Sequence, residues 1–445
     1  MQKKTLTIKE SITVGLMLFA LFLGAGNIIF PPYLGQLAGQ NILPAIIGFL
    51  LTGVGLPLLG ILAIAKAGGD LQTIAGRVNP YFGLIFTFIV YLTIGPFFGI
   101  PRTATVAYEI GVFPFLSENA GNSSWPLLIF SIIFFTITVL FAFNPTKLVD
   151  RIGKILTPIL IVIIGSLAVK SVISPMGTIG EAVGSFKTEA FFESFLQGYL
   201  TMDAIAALVF GIVIIQSIRA KGVSDKGTIV KTTILAGIIA AVGLAAVYLS
   251  LSFIGVTSVE AIGYHDNGGT IIALASRVLY GELGGIILAA AIFFACLTTS
   301  IGLVTATAQF LNKIFPKLSY VTYVFIFAGF STIIANIGLT QLISVSLPVL
   351  LMIYPLAIVL VILSFVDTLF DRQPFVYIMV LCVTAAISIL DGLKAAGIQF
   401  EKINELLSFL PLYEQGIGWV TPAFAAAMIG FIIHRVKSKK ATSFK

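Results

Sequence analysis

The chain has 445 residues, 58% hydrophobic and only 10% charged, against about 25% charged in an ordinary soluble domain, and its mean hydropathy is +1.07. That composition excludes a water-solvated globule, which would expose far more apolar surface than a soluble monomer tolerates. The net charge of +7 is scattered over short loops instead of forming one stripe, so topology rather than nucleic acid explains it.

Apolar segments longer than the roughly 18 residues needed to cross a hydrocarbon core recur along the whole chain. They lack period-two alternation and therefore read as helices. Twelve spans are predicted, near 11–38, 42–65, 82–111, 125–143, 152–173, 191–217, 229–255, 283–311, 319–337, 341–366, 374–393 and 417–434. The fold class is an all-α membrane protein forming a single domain over 1–445. Lys3, Lys4 and Lys9 precede no small-residue cleavage site, so the first span is expected to be retained. Loops numbered alternately from a cytoplasmic amino terminus place Lys66, Arg77, Lys147, Arg151, Arg219, Lys313, Arg372 and the tail from Arg435 inside. Outer loops keep only Lys170, Lys187, Arg277, Lys394 and Lys402, and collect acids such as Glu118, Glu181, Glu260, Asp266 and Glu282. This bias predicts two cytoplasmic termini.

The first span is interrupted. Leu23-Gly24-Ala25-Gly26-Asn27-Ile28-Ile29-Phe30-Pro31-Pro32 places two glycines and two prolines where a continuous helix disfavours them. Backbone freed at membrane depth is tolerated only where protein buries it or a cavity receives it. The amides of Gly24, Ala25, Gly26 and Asn27, at the start of a half-helix expected near Phe30, can hold a carboxylate. The carbonyls of Ala20 and Leu23 point the other way and can coordinate a cation. A merely kinked helix is the competing reading.

In the third span, Gly95-Pro96-Phe97-Phe98-Gly99-Ile100-Pro101-Arg102 carries a lone base. Arg102 is expected to gate or to form a charge pair with Asp203 or Glu109, with an inner-facing packing role as the competing reading. The sixth span reads Gln197-Gly198-Tyr199-Leu200-Thr201-Met202-Asp203, and burying that acid costs at least about 2.5 kcal/mol on insertion scales. Asp203 then neutralises a cation or a substrate ammonium, or carries a coupling proton. Interrupted helices in corresponding positions point to an inverted-repeat transporter with its site near the midplane. The halves are predicted at 1–174 and 190–366, with two additional helices over 374–434.

In the eighth span the Ala295 carbonyl and the hydroxyls of Thr298 and Thr299 share one helix face. Neutral oxygens suit a hard monovalent cation such as sodium, although such hydroxyls also bond back within membrane helices. Cys296 and Cys382 fall inside spans and read as packing residues. No His cluster, hydrolytic triad or Walker sequence is visible, so an ion gradient is the expected energy source and no cofactor is expected. A membrane enzyme using the 256–282 segment as an active-site loop is the alternative class, but paired aspartate motifs are missing from it.

The stretches Gly24 to Pro32, Gly95-Pro96-Phe97 with Pro101-Arg102-Thr103-Ala104, Thr201-Met202-Asp203-Ala204 and Leu297-Thr298-Thr299 together resemble the branched-chain amino acid:cation symporters, over essentially the whole chain. The resemblance implies the leucine-transporter fold of ten core helices plus two, and sodium-coupled uptake of leucine, isoleucine and valine across a bacterial cell membrane, with a proton as the alternative ion. It further implies Ala25, Gly26 and Asn27 near the substrate, and Ala20, Leu23, Ala295, Thr298 and Thr299 around sodium. Gly24, Thr201 and Asp203 complete the expected substrate site.

Overall fold

The computed structural model describes residues 6–116, 123–144, 149–398 and 400–443. Lys3, Lys4, Glu118 and Lys147 of the charge pattern lie outside them. Among the described residues there are helices and no strands. In chain order they are α1 (Ile8–Phe22), α2 (Ala25–Ala38), α3 (Ile42–Leu50), α4 (Leu56–Ala67), α5 (Leu71–Ala75), α6 (Pro80–Leu92) and α7 (Gly99–Gly111). Next come α8 (Trp125–Ala142), α9 (Thr157–Ile173), α10 (Phe186–Tyr199), α11 (Asp203–Ala220), α12 (Lys226–Ile262) and α13 (Gly268–Tyr280). The chain closes with α14 (Glu282–Ile314), α15 (Tyr320–Ala335), α16 (Leu339–Val366), α17 (Pro374–Ala395), α18 (Glu401–Leu407) and α19 (Val420–Ser443).

Ten helical stretches among the described residues are long and apolar enough to cross a membrane. The twelve expected spans each fall on helix. The first is divided between α1 and α2, neither of which crosses alone, and the ninth is α15, whose 16 residues reach about 24 Å. One expectation is corrected: the segment 256–282 is not a loop, because α12 runs on to Ile262 and α13 follows, its start capped by Asn267, which accepts from the Gly269 amide at 2.7 Å. Side-chain caps open other helices too. Thr7 and Glu10 cap α1 reciprocally, Asp70 accepts from Thr73 ahead of α5, and Asn79 with Pro80 starts α6.

The prolines also act differently from expectation. Pro31 and Pro32 lie within continuous α2, which begins at Ala25 rather than near Phe30. The break is at Leu23 and Gly24, where Gly24 is extended. Past the prolines, α2 crosses α12 at backbone contact, since a Cβ on Gly255 would stand 2.8 Å from the Pro32 carbonyl carbon and one on Gly35 2.9 Å from the Val256 nitrogen. Small residues let two membrane helices approach this closely. The second interruption separates α10 from α11 at Leu200–Met202, with Met202 in the left-handed region at φ 67°. A third, at Gly95 (φ −81°, ψ −118°), kinks the chain between α6 and α7.

The core is continuous through α1, α11 and α14, and α11 is buried along nearly its whole length. Of the two thiols, Cys296 is buried, but Cys382 is exposed on the outer face of α17 and does not pack in the interior as expected. Ion pairs tie several helix ends together. Arg77 reaches buried Asp367 at 2.6 Å, Arg372 meets the same carboxylate at 3.3 Å, Lys313 holds Asp70 at 2.5 Å, and His434 lies 3.1 Å from Asp371.

Candidate functional site

Ending a helix leaves its last four carbonyls without amide partners, and at the first break these orphans build the site. Leu23 and Gly24 turn their own amides back to Phe19 and Phe22. The carbonyls of Ala20 and Leu21 are taken by α14: the Thr298 hydroxyl donates to Ala20 at 2.7 Å and to Ala295 at 2.9 Å, and the Thr299 hydroxyl donates to Leu21 at 2.9 Å. The structure therefore gathers Ala20, Ala295, Thr298 and Thr299 as expected. The hydroxyl of Thr299 meets the carbonyl of Leu21, and Leu23, at ψ 76°, has left the helical conformation. Every oxygen in this cluster is neutral, which fits a monovalent cation better than a divalent one.

On the other side of the break, α2 opens toward a cavity. The Gly24 amide is occupied by Phe22 and by the side-chain oxygen of Asn27 at 3.2 Å, so the orphan donors are those of Ala25 to Asn27. The side-chain nitrogen of Asn27 donates to one oxygen of Asp203 and also contacts the Tyr248 hydroxyl. Tyr248 donates to that same carboxylate oxygen at 2.8 Å. Asn27, Asp203 and Tyr248 are all buried, and together they join α2, α11 and α12 at the level of both breaks. Sequence reasoning missed Tyr248, a lone tyrosine on a helix of otherwise unremarkable polarity.

The second break is held from α7. Arg102 Nη1 donates to the Leu200 carbonyl at 2.9 Å, while Thr201 donates to Gly198 at 2.8 Å and Met202 bonds back to Tyr199. The hydrogen-bond partner of Arg102 is this carbonyl, and among the described residues neither Asp203 nor Glu109 forms an ion pair with it. Glu109 lies seven residues on along α7, about 10 Å of helix rise away, and lines a separate cavity with Arg277 of α13. The face of the guanidinium rests on Phe30, 5.2 Å from the ring centre.

These pieces surround one cavity of about 40 Å³. Its lining includes Gly24, Ala25, Gly26, Asn27, Arg102, Thr201, Asp203 and Thr299 together with the apolar Phe22, Ile94, Phe210 and Leu303. Such a volume holds about three water molecules. The arrangement offers a buried carboxyl group, a buried guanidinium and apolar side chains within one chamber, groups that suit a zwitterion with an apolar side chain. Among the described residues, no cluster of His, Cys, Asp and Glu could hold a metal ion.

Known proteins answer to this architecture. Residues 7–437 match the model of the family described as "Branched-chain amino acid transport protein". The branched-chain amino acid permease BraB of Bacillus subtilis is 51% identical over 432 residues, 97% of each chain. The branched-chain amino acid transport system 2 carrier protein of Pseudomonas aeruginosa is 43% identical, again over 97% of each chain, and the permease BrnQ of Escherichia coli is 39% identical over 98% of each. In fold, the chain superposes on Mhp1, a nucleobase-cation-symport-1 family transporter solved in a closed conformation, with a TM-score of 0.61 at 14% identity, covering 97% of this chain and 93% of that one. The fold is thus leucine-transporter-like, and these relatives are permeases and carriers, which leaves the lipid-enzyme alternative without support. The chain is a multi-pass cell-membrane protein and belongs to the branched-chain amino acid transport family.

Proposed function

We propose that this chain takes up leucine, isoleucine or valine together with sodium, by alternating access about the chamber between the two breaks. The observation that carries the sodium reading is the Thr298 hydroxyl held between the orphan Ala20 carbonyl and the Ala295 carbonyl, at 2.7 and 2.9 Å. An arriving cation replaces the hydroxyl proton as the partner of both carbonyls, and the hydroxyl oxygen becomes a third ligand. Ala20 belongs to α1 and Ala295 to α14, so the ion bridges two helices whose relative position must change during transport. The substrate sits on the other side of the same break, with the amides of Ala25 to Asn27 near its carboxylate and Asp203 near its ammonium. Ion and substrate then tighten one another's binding by linkage. Residues 1–174 and 190–366 act as the two halves that rock, and α17 and α19 pack outside them. Both termini face the cytoplasm, in keeping with Lys66, Arg77, Lys313, Arg372 and Lys437 at the helix ends on one face. Proteoliposomes given an inward sodium gradient should accumulate labelled isoleucine, and no uptake above the gradient-free control would remove the reading.

A second reading couples transport to a proton on Asp203. It is favoured by the burial of that carboxylate, 2% exposed, beneath donors from Asn27 and Tyr248. Full-rate uptake driven by a pH gradient in sodium-free buffer would select it over sodium.

A further inference from the structure

A guanidinium has five N–H donors and cannot shed its charge inside a protein. Arg102 is 5% exposed, yet only Nη1 is bonded, to Leu200, while Nε and Nη2 are buried and without partners. Phe30 covers the face of the group and leaves its edge unsatisfied. Among the described residues no carboxylate forms an ion pair with it. One carboxyl oxygen of Asp203 already receives both Asn27 and Tyr248. A buried cation left in this condition is strongly disfavoured, so an anion is expected to complete it. The unpaired edge has a defined direction: a Cβ on Gly26 would stand 3.1 Å from Nη2, which places that nitrogen beside the first turn of α2, where the amides of Ala25 and Gly26 lack acceptors within the helix. Arg102 and Gly26 both line the chamber.

We propose that Arg102 binds the substrate carboxylate, completing its unpaired edge with the amides that open α2, and thereby confines transport to molecules with a free carboxylate. The inference rests on the transport reading above and deepens it. An amino acid held this way turns its ammonium toward Asp203 and its branched side chain toward Phe22, Ile94, Phe210 and Leu303. Because Nη1 stays on Leu200, a carboxylate on the unpaired edge links the first turn of α2, through Arg102, to the second break.

Thermal unfolding of the purified full-length protein, with sodium present, gives the test, read as the ligand concentration for half-maximal protection. Isoleucine is compared with isoleucinol, which keeps the ammonium and side chain but lacks the carboxylate. Wild type should prefer isoleucine by about a hundredfold, and Arg102→Met should reduce that preference about tenfold or more, through weaker isoleucine binding at unchanged isoleucinol binding. Arg102→Lys, which keeps the charge without the fork, should fall between them and decides the matter if the methionine variant does not fold. A purely structural Arg102 would lower the ligand-free unfolding temperature and leave the preference at its wild-type value, which overturns the proposal, as does equal protection of wild type by both compounds. Failure of the transport reading looks different, as neither protection by isoleucine nor uptake of it by wild type.

Discussion

The two helix breaks solve one problem with opposite chemistry. Each frees backbone carbonyls at membrane depth that must find donors. At Leu23 and Gly24 the donors are the hydroxyls of Thr298 and Thr299, neutral groups whose oxygens can turn to a cation and whose carbonyl partners can do the same. At Leu200 the donor is a guanidinium, which has no lone pair to offer and repels a cation. The first break is therefore suited to release its carbonyls to an ion, whereas the second is locked to a positive charge and suited to an anion. The conformations differ as well. Gly24 is extended and free of strain, while Met202 adopts a left-handed conformation that costs roughly 1 to 3 kcal/mol outside glycine and persists because Arg102, Thr201 and Tyr199 hold the turn around it.

The largest effect is expected from the group that joins the two breaks. Asp203→Asn keeps the shape but removes the charge that receives Asn27 and Tyr248, and charge-assisted hydrogen bonds of roughly 1.5 to 3 kcal/mol each are lost or weakened. Initial isoleucine uptake should drop about a hundredfold, and a variant retaining half the wild-type rate would separate Asp203 from the site.

Next in size are the hydroxyls of the first break. Thr298→Val removes the oxygen that touches two carbonyls and should raise the sodium concentration for half-maximal uptake about tenfold. Thr299→Val, which loses one contact at Leu21, should raise it about threefold. Unaltered sodium curves for both, or the reverse order, would break the assignment of the ion to this break.

Tyr248→Phe tests whether the anion needs both of its donors. One hydrogen bond to a carboxylate disappears while Asn27 remains, so half-saturation for isoleucine should rise about fivefold with protein yield unchanged. An unchanged value would show that the Tyr248 hydroxyl supports only packing.

The smallest effect is expected at Pro31. Since the break precedes α2 and the proline lies within the continuous helix, Pro31→Ala should alter uptake and its sodium dependence by less than about twofold. Loss of transport in this variant would return the prolines to the mechanism and blur the contrast between a glycine break and a proline kink.

Much of this organisation is legible in the chain itself. Long apolar runs specify membrane helices because the bilayer leaves the backbone no other way to satisfy its polar groups, and a glycine pair or a lone acid inside such a run is costly enough to mark a site. Gly24, Gly26 and Asp203 stand out by that criterion, and all three line the chamber. Which atom meets which was settled by tertiary structure. The register of α14 against α1 sends Thr299 to Leu21, the approach of α12 brings Tyr248 onto Asp203, and the turn at Leu200 offers Arg102 a carbonyl. Helix period and burial cost are local properties that composition encodes. Partner choice depends on how helices remote in sequence are rotated and shifted against each other, and a shift of one residue turns a side chain by about 100° around the helix axis, enough to exchange one partner for another.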